Sequence, residues 1–207
     1  MESRLRAGVA AYNAGYHHAA HDAWEEYWLD LERGTDDERL LHGLIQFTAA
    51  VHHARGRNWE GAVGLAESAG EYLADLSEDY RDVNVGTARS FLATLAADPE
   101  VIERRRPPKL RVEGRAVELA DLDVDAVWIA APLLAEAIEG FDDAVVERAV
   151  RYAREDLDAG DEGSKYVTFL LDFVGDAENR GIIYQRLGQH VDRRRSREQD
   201  VEGLFDE

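Results

Sequence analysis

Six of the seven histidines in this 207-residue chain fall within the first 53 residues: His17, His18, His21, His42, His52 and His53. They sit in two stretches rich in tryptophan and acid, HHAAHDAWEEYW and LLHGLIQFTAAVHH. Histidine titrates near neutral pH without perturbation and is the commonest metal ligand, so clustered histidines beside carboxylates can carry proton transfer or hold a metal. At helical spacing His17, His21, Trp24, Glu25 and Trp28 share one face, and His21 and Glu25 are one turn apart. His42, Gln46, Ala49 and His53 form a second such row. If the two faces meet, His21, Glu25, Gln46 and His53 surround a polar pocket walled by Trp24 and Trp28. In that arrangement His21 or Glu25 is the catalytic base, Gln46 positions the ligand and His53 is a second polar wall. The competing reading makes His21 and Glu25 a hydrogen-bonded strut and both tryptophans core. His18, His42 and His52 are expected at the periphery, with Asp22 and Glu26 on the solvated flank.

Sharper motifs are missing. His17-His-Ala-Ala-His21 has the histidine spacing of a zincin helix without a glutamate after its first histidine. The paired Glu-x-x-His of a di-iron bundle does not occur. Nor does a P-loop, a G-x-G-x-x-G fingerprint or a G-x-S-x-G elbow. The pattern leaves the cofactor unknown and does not favour a divalent metal.

The elements that must position these residues are helical. Leu5, Val9 and Tyr12 make one apolar stripe, stopped at Asn13-Ala-Gly15. A second helix is expected from about Tyr16 to Glu32. A third begins behind the cap residues Thr35 and Asp36, carries Leu40, Leu41, Leu44, Ile45, Phe47, Ala50 and Val51, and breaks at Gly56. Asn58 caps a fourth helix through Leu76. Turns this short predict antiparallel neighbours. A fifth helix, Val85 to Ala97, ends at Asp98-Pro99. The basic stretch Arg104–Arg111 cannot be helical through its prolines, and Leu110 to Leu119 suggests a small hairpin turning at Glu113-Gly114. Further helices are expected at Pro132–Glu139, Asp143–Leu157, Lys165–Val174 and Ala177 to about Arg194. The apolar patch Val201-Glu-Gly-Leu-Phe205 is expected to dock on the body or on a second subunit. The fold class is therefore all-α: an antiparallel N-terminal helical bundle over 1–98, a basic, proline-containing linker or hairpin over 99–120, and a mainly helical region over 121–207.

Acids outnumber bases 43 to 24, for a net charge of −19, and only Lys109 and Lys165 are lysine. Such a surface resembles those of salt-accumulating halophiles, where molar salt shortens the Debye length to about 3 Å and mutes repulsion. The charge argues against nucleic acid or an anionic membrane as main partner. The absence of cysteine excludes disulfides, thiolate metal sites and a cysteine nucleophile. No apolar run reaches a membrane span and no signal peptide is evident, so a cytoplasmic protein is expected. The arginine runs Arg104–Arg111 and Arg193–Arg197 could touch RNA, though on so acidic a chain pairing with its own carboxylates is expected.

Asn13-Ala-Gly-Tyr16, His21-Asp-Ala-Trp-Glu25-Glu-Tyr-Trp28, Gly43-Leu-Ile-Gln46 with Ala49-Ala50 and His53, and Asn58-x-x-Gly61-Ala62 together resemble domain-of-unknown-function family 309, over about residues 7–80. The family's pattern carries glutamate where this chain has Asp22. The resemblance implies a helical bundle with the His-Glu and Gln elements facing one another, in a chain with the composition of a halophile member. It brings no established activity.

These observations predict a helical-bundle protein with a polar His/Glu/Gln pocket for small-ligand binding or hydrolysis. The rival is a non-enzymatic structural or protein-interaction module whose polar cluster fixes helix packing. An RNA-associated accessory protein is the third reading. A small molecule or a protein partner, and a homo-oligomer, remain open.

Overall fold

The computed structural model describes residues 1–202. The docking expected of Val201-Glu-Gly-Leu-Phe205 falls outside what those residues cover. Ten α-helices and one two-stranded antiparallel sheet occur among them, so the chain is all-α with a minor hairpin. It divides into two compact units, Met1–Leu119 and the chain from Ala120 onward. No helix among the described residues is long and apolar enough to cross a membrane.

The first unit contains α1 (Glu2–Ala14), α2 (His17–Trp28), α3 (Asp36–Arg55), α4 (Trp59–Leu73), α5 (Val85–Ala97) and the single turn α6 (Val101–Arg104). Helices α1 to α5 each pack on the one before. Their ends follow local chemistry. Gly15 closes α1 in the left-handed conformation at φ 92°, which costs glycine nothing. The Thr35 hydroxyl accepts from the Glu38 amide and opens α3, and the Asn58 side-chain Oδ1 accepts from the Gly61 amide and opens α4. Helix α2 stops at Trp28 rather than running on to Glu32. The reason is Glu38, whose carboxylate accepts from Trp28 Nε1 at 2.9 Å and from the Gly34 amide at 3.2 Å, curling residues 29–35 back onto α3.

The hairpin pairs β1 (Arg111–Val112) with β2 (Arg115–Ala116). Glu113 and Gly114, at φ 52° and 75°, supply the two left-handed residues of a tight hairpin turn. Asn13 at the end of α1 holds this segment. Its amide nitrogen donates to the Leu110 and Val117 carbonyls at 2.8 and 3.0 Å, and its oxygen accepts from the Leu110 amide at 2.9 Å.

The second unit comprises α7 (Val124–Ala137), α8 (Asp143–Asp158), α9 (Lys165–Gly175) and α10 (Arg180–Glu202). Pro132 does not start α7, as its sequence position suggests, but lies inside it. The helix opens at Asp123, whose carboxylate accepts from the Ala126 amide at 2.9 Å. Burial of Ala126, Val127, Trp128, Ala130, Ala131 and Leu134 outweighs the hydrogen bond that proline cannot give. Helix α10 outruns its expected end at Arg194, which is itself an anchor. Its guanidinium lies 4.2 Å from the Tyr152 ring centroid and bonds Asp156, Glu155 and Glu198 at 2.6, 2.7 and 3.3 Å.

Candidate functional site

The two histidine rows run in opposite directions along packed helices. His18 on α2 meets His52 on α3 with ring centroids 5.2 Å apart, whereas Trp28 on α2 meets His42 on α3 at 4.4 Å. Ten residues of α-helix rise about 15 Å, so these pairings mark two separate ends of the interface. The single pocket expected from the sequence is therefore two polar clusters.

At the first end a cavity of about 210 Å³ opens between α2 and α3, lined on one side by His17, His18, His21 and Asp22 and on the other by Thr48, Ala49, His52 and His53. His17 is 8% exposed and stacks on Tyr12 at 5.5 Å. Burial, reinforced by Arg55 and the neighbouring His52 and His18, pushes its pKa down to about 4, so it is neutral at physiological pH. Burial and the positive potential of His18, His53 and Arg55 also lower the pKa of His52. His21 is half-buried. Its Nδ1 lies 2.9 Å from Asp22 Oδ1 and 3.8 Å from Glu25 Oε2. Asp22, expected on the solvated flank, is thus the nearer carboxylate. His53 Nδ1 accepts from the Asn58 side-chain amide at 2.7 Å, which puts the His53 proton on Nε2. Gly61 makes room for that contact, since a Cβ there would stand 2.8 Å from His53 Nδ1.

At the second end His42 occupies a slot between Trp28 and Tyr72, with ring centroids 4.4 and 3.8 Å away. Its Nε2 pairs with the Gln46 amide nitrogen at 3.0 Å and its Nδ1 lies 3.4 Å from Glu38 Oε1. An amide N–H donating to Nε2 requires the His42 proton on Nδ1, facing the Glu38 carboxylate. Glu38 keeps a lowered pKa: the bonds from Trp28, Gly34 and His42 outweigh the opposing effect of its burial. A wider cleft of about 700 Å³ lies over this row, with Arg33, Arg39, Ser68 and Glu71 on its rim.

The structure thus brings His21, Glu25 and His53 to one end and Gln46 and Trp28 to the other. Gln46 cannot position a ligand held at His21, because it lies at the other end, its amide nitrogen on His42 and its Oε1 buried without a hydrogen-bond partner among the described residues. Trp24 walls neither cleft: it is fully buried against α1, its Nε1 3.4 Å from the Leu5 carbonyl. His42 is not peripheral. Its neighbours Glu38 and Tyr72 are the polar residues that the histidine count overlooked, although Glu38, His42 and Gln46 stand at a readable four-residue spacing.

The first unit is thus a serially packed helical bundle whose histidine-acid cluster lies between its second and third helices. Residues 5–65 match the domain of unknown function DUF309, so the resemblance covers α1, α2, α3 and the start of α4. An uncharacterized protein of Aquifex aeolicus (strain VF5) is similar, at 25% identity over 114 residues. The matched stretch is 55% of this chain and 33% of that relative, so this chain spans about a third of the relative's length.

Proposed function

We propose that the cleft between α2 and α3 binds a small molecule and hydrolyses it with His21 as the general base. The observation that carries this reading is the 2.9 Å contact between His21 Nδ1 and Asp22 in a residue that also lines the cavity. Asp22 accepts a hydrogen bond from the Nδ1 N–H, which leaves Nε2 with its lone pair. Nε2 takes a proton from water, the hydroxide attacks the electrophilic carbon or phosphorus, and the proton passes to the leaving group. Asp22 and Glu25 stabilise the imidazolium formed in between. His53, oriented by Asn58, presents an N–H to the opposite wall. Residues 1–98 form the functional body in this reading, 99–120 brace it and 121–207 are an appended unit, in a protein of a salt-rich cytoplasm.

The test is hydrolysis of p-nitrophenyl acetate and p-nitrophenyl phosphate in molar KCl with EDTA, by wild type and by His21→Ala. Turnover that falls at least about a hundredfold in the variant, with a near-native melt, supports the base. A variant as active as wild type, or no turnover with a melt lowered by several degrees, returns the cluster to the structural reading. The second cluster favours that rival for its own end of the interface, because Glu38, His42 and Gln46 are engaged with one another. The RNA reading loses its second arginine run in part, since Arg194 is caged by three carboxylates.

A further inference from the structure

The basic run that begins at Arg104 is neutralised at its flanks and left open in its middle. Arg104 pairs with Asp98, Lys109 pairs with Glu118, and Glu103, the acid just before the run, is taken by Arg57 at 2.8 Å. Among the described residues no carboxylate lies within ion-pair distance of Arg105 or Arg106, and neither guanidinium makes a hydrogen bond. On a chain of net charge −19, two adjacent arginines without an acidic partner are unexpected.

Both line a cavity of about 240 Å³ against α5, whose Thr87, Ser90, Phe91 and Thr94 face them, with Pro108 beside them. No carboxylate lines this cavity, whereas the clefts over His21 and His42 each carry at least one. The Ser90 and Thr94 hydroxyls donate to the Gly86 and Ser90 carbonyls at 2.9 Å. Thr87 makes no such bond among the described residues, so its exposed hydroxyl can donate to a ligand. The backbone that carries the arginines is pinned at both ends. The Arg105 amide donates to the Val101 carbonyl at 2.8 Å, and the Pro108 carbonyl accepts from the Tyr12 hydroxyl at 3.1 Å. Pro107 and Pro108 stiffen the chain between those anchors, which lowers the cost of ordering it around a ligand.

A guanidinium presents a planar fork of N–H donors that matches the oxygens of a phosphate. Two of them balance the dianion of a phosphomonoester, whose second pKa is about 6. A phosphodiester carries one charge and a second substituent that must also find room. The cavity is smaller than the roughly 300–1,000 Å³ that enclose a drug-sized ligand, so it suits a phosphoryl end whose organic part stays outside.

We propose that Arg105, Arg106 and Thr87 form a binding site for the terminal phosphate of a small phosphomonoester. It lies outside residues 5–65, which match DUF309, and shares no residue with the α2–α3 cleft, so it is independent of the hydrolytic reading.

The experiment is calorimetric titration of the full chain with methyl phosphate in molar KCl, above pH 7, where the ligand is a dianion. Dimethyl phosphate and an oligouridylate without terminal phosphates are titrated in parallel. One methyl phosphate per chain is expected, with dimethyl phosphate bound at least about tenfold more weakly. Arg105→Ala and Arg106→Ala should each weaken binding at least about tenfold, and both positions are exposed, so the fold survives the change. Arg105→Lys should weaken it too, because lysine keeps the charge and loses the fork. Arg115→Ala, equally exposed but outside the cavity, should leave binding unchanged. Equal weakening by Arg115→Ala and Arg105→Ala, or no saturable binding, would reduce the arginines to a diffuse basic patch and overturn the site. An oligouridylate that binds more tightly than methyl phosphate and displaces it would overturn it as well, in favour of a nucleic-acid backbone.

Discussion

The His42 imidazole lies 3.8 Å, centroid to centroid, from the Tyr72 ring at an angle of 31°, with the Trp28 indole 4.4 Å away on another side. One side chain of α3 thus joins α2 and α4. It also accepts from the Gln46 amide at 3.0 Å and sets its Nδ1 3.4 Å from Glu38 Oε1, short of a hydrogen bond. His42→Ala removes the ring between two aromatics and leaves the Gln46 amide nitrogen without its partner. A loss of about 2–3 kcal/mol follows from one unsatisfied buried group plus the aromatic contacts. His21→Ala, at a half-exposed position, should cost under about 1 kcal/mol. Urea unfolding at fixed salt compares the two. Equal effects would mean that His42 is no more structural than His21.

Helix existence was legible because apolar spacing, cap residues and glycine stops agreed. Thr35, Asn58 and Gly56 mark ends where the sequence puts them. What it could not supply was the pairing between rows. His21 and Gln46 are both polar on amphipathic helices, and nothing in either helix states which turn of one faces which turn of the other. The short loop between α2 and α3 forces opposite directions, and that alone separates Gln46 from His21. Trp24 was ambiguous for a related reason, since a tryptophan on a histidine face fits a pocket wall or a core equally well until α1 is placed beside it. The interior position of Pro132 defied local reading because tertiary burial outweighed a strong helix-breaking preference.

Trp24 gives a sharp stability test through Gly8. A Cβ added to Gly8 would stand 2.2 Å from Trp24 Nε1 and 2.3 Å from Cε2, with the indole fully buried and unable to swing away. Gly8→Ala would gain helix propensity of at most about 1 kcal/mol at an open position. Here overpacking reverses the sign, and a net loss of about 1–3 kcal/mol is expected. Thermal melts read the difference. A stabilised Gly8→Ala protein would show that α1 does not press on Trp24 as described.

The buried His17 sets a pH dependence. Its folded pKa of about 4 lies below the ordinary value of 6.5, chiefly because burial disfavours the charged ring. As pH falls below 6.5 the unfolded chain takes up the proton first, so stability declines until pH approaches 4 and then stops changing on this account. The full effect is about 3 kcal/mol. His17→Phe retains a ring beside Tyr12 and removes the titration. Its stability should fall less than that of wild type between pH 7 and pH 4.5, in denaturant titrations at constant salt. Parallel curves would mean that His17 is solvated or charged in the folded state.

The net charge of −19 sets the dependence on salt. Carboxylates crowd single helix faces, as where Glu67 and Glu71 stand one turn apart, both exposed, on α4. Like charges at that spacing repel by a few tenths of a kcal/mol in dilute buffer, and screening removes the effect as the Debye length shrinks from about 10 Å to about 3 Å. Summed over the surface, raising KCl from about 0.1 M to molar levels should stabilise the chain by several kcal/mol. That is a rise in Tm of about 10 °C at the 2–4 °C per kcal/mol expected for a chain of this size. Salt also strengthens apolar burial, so the two causes must be separated. Replacing both Glu67 and Glu71 with glutamine should raise Tm in dilute buffer and make no difference in molar KCl. A gain that persists at high salt would assign it to helix propensity, and a Tm indifferent to salt would remove charge repulsion as the force limiting this fold.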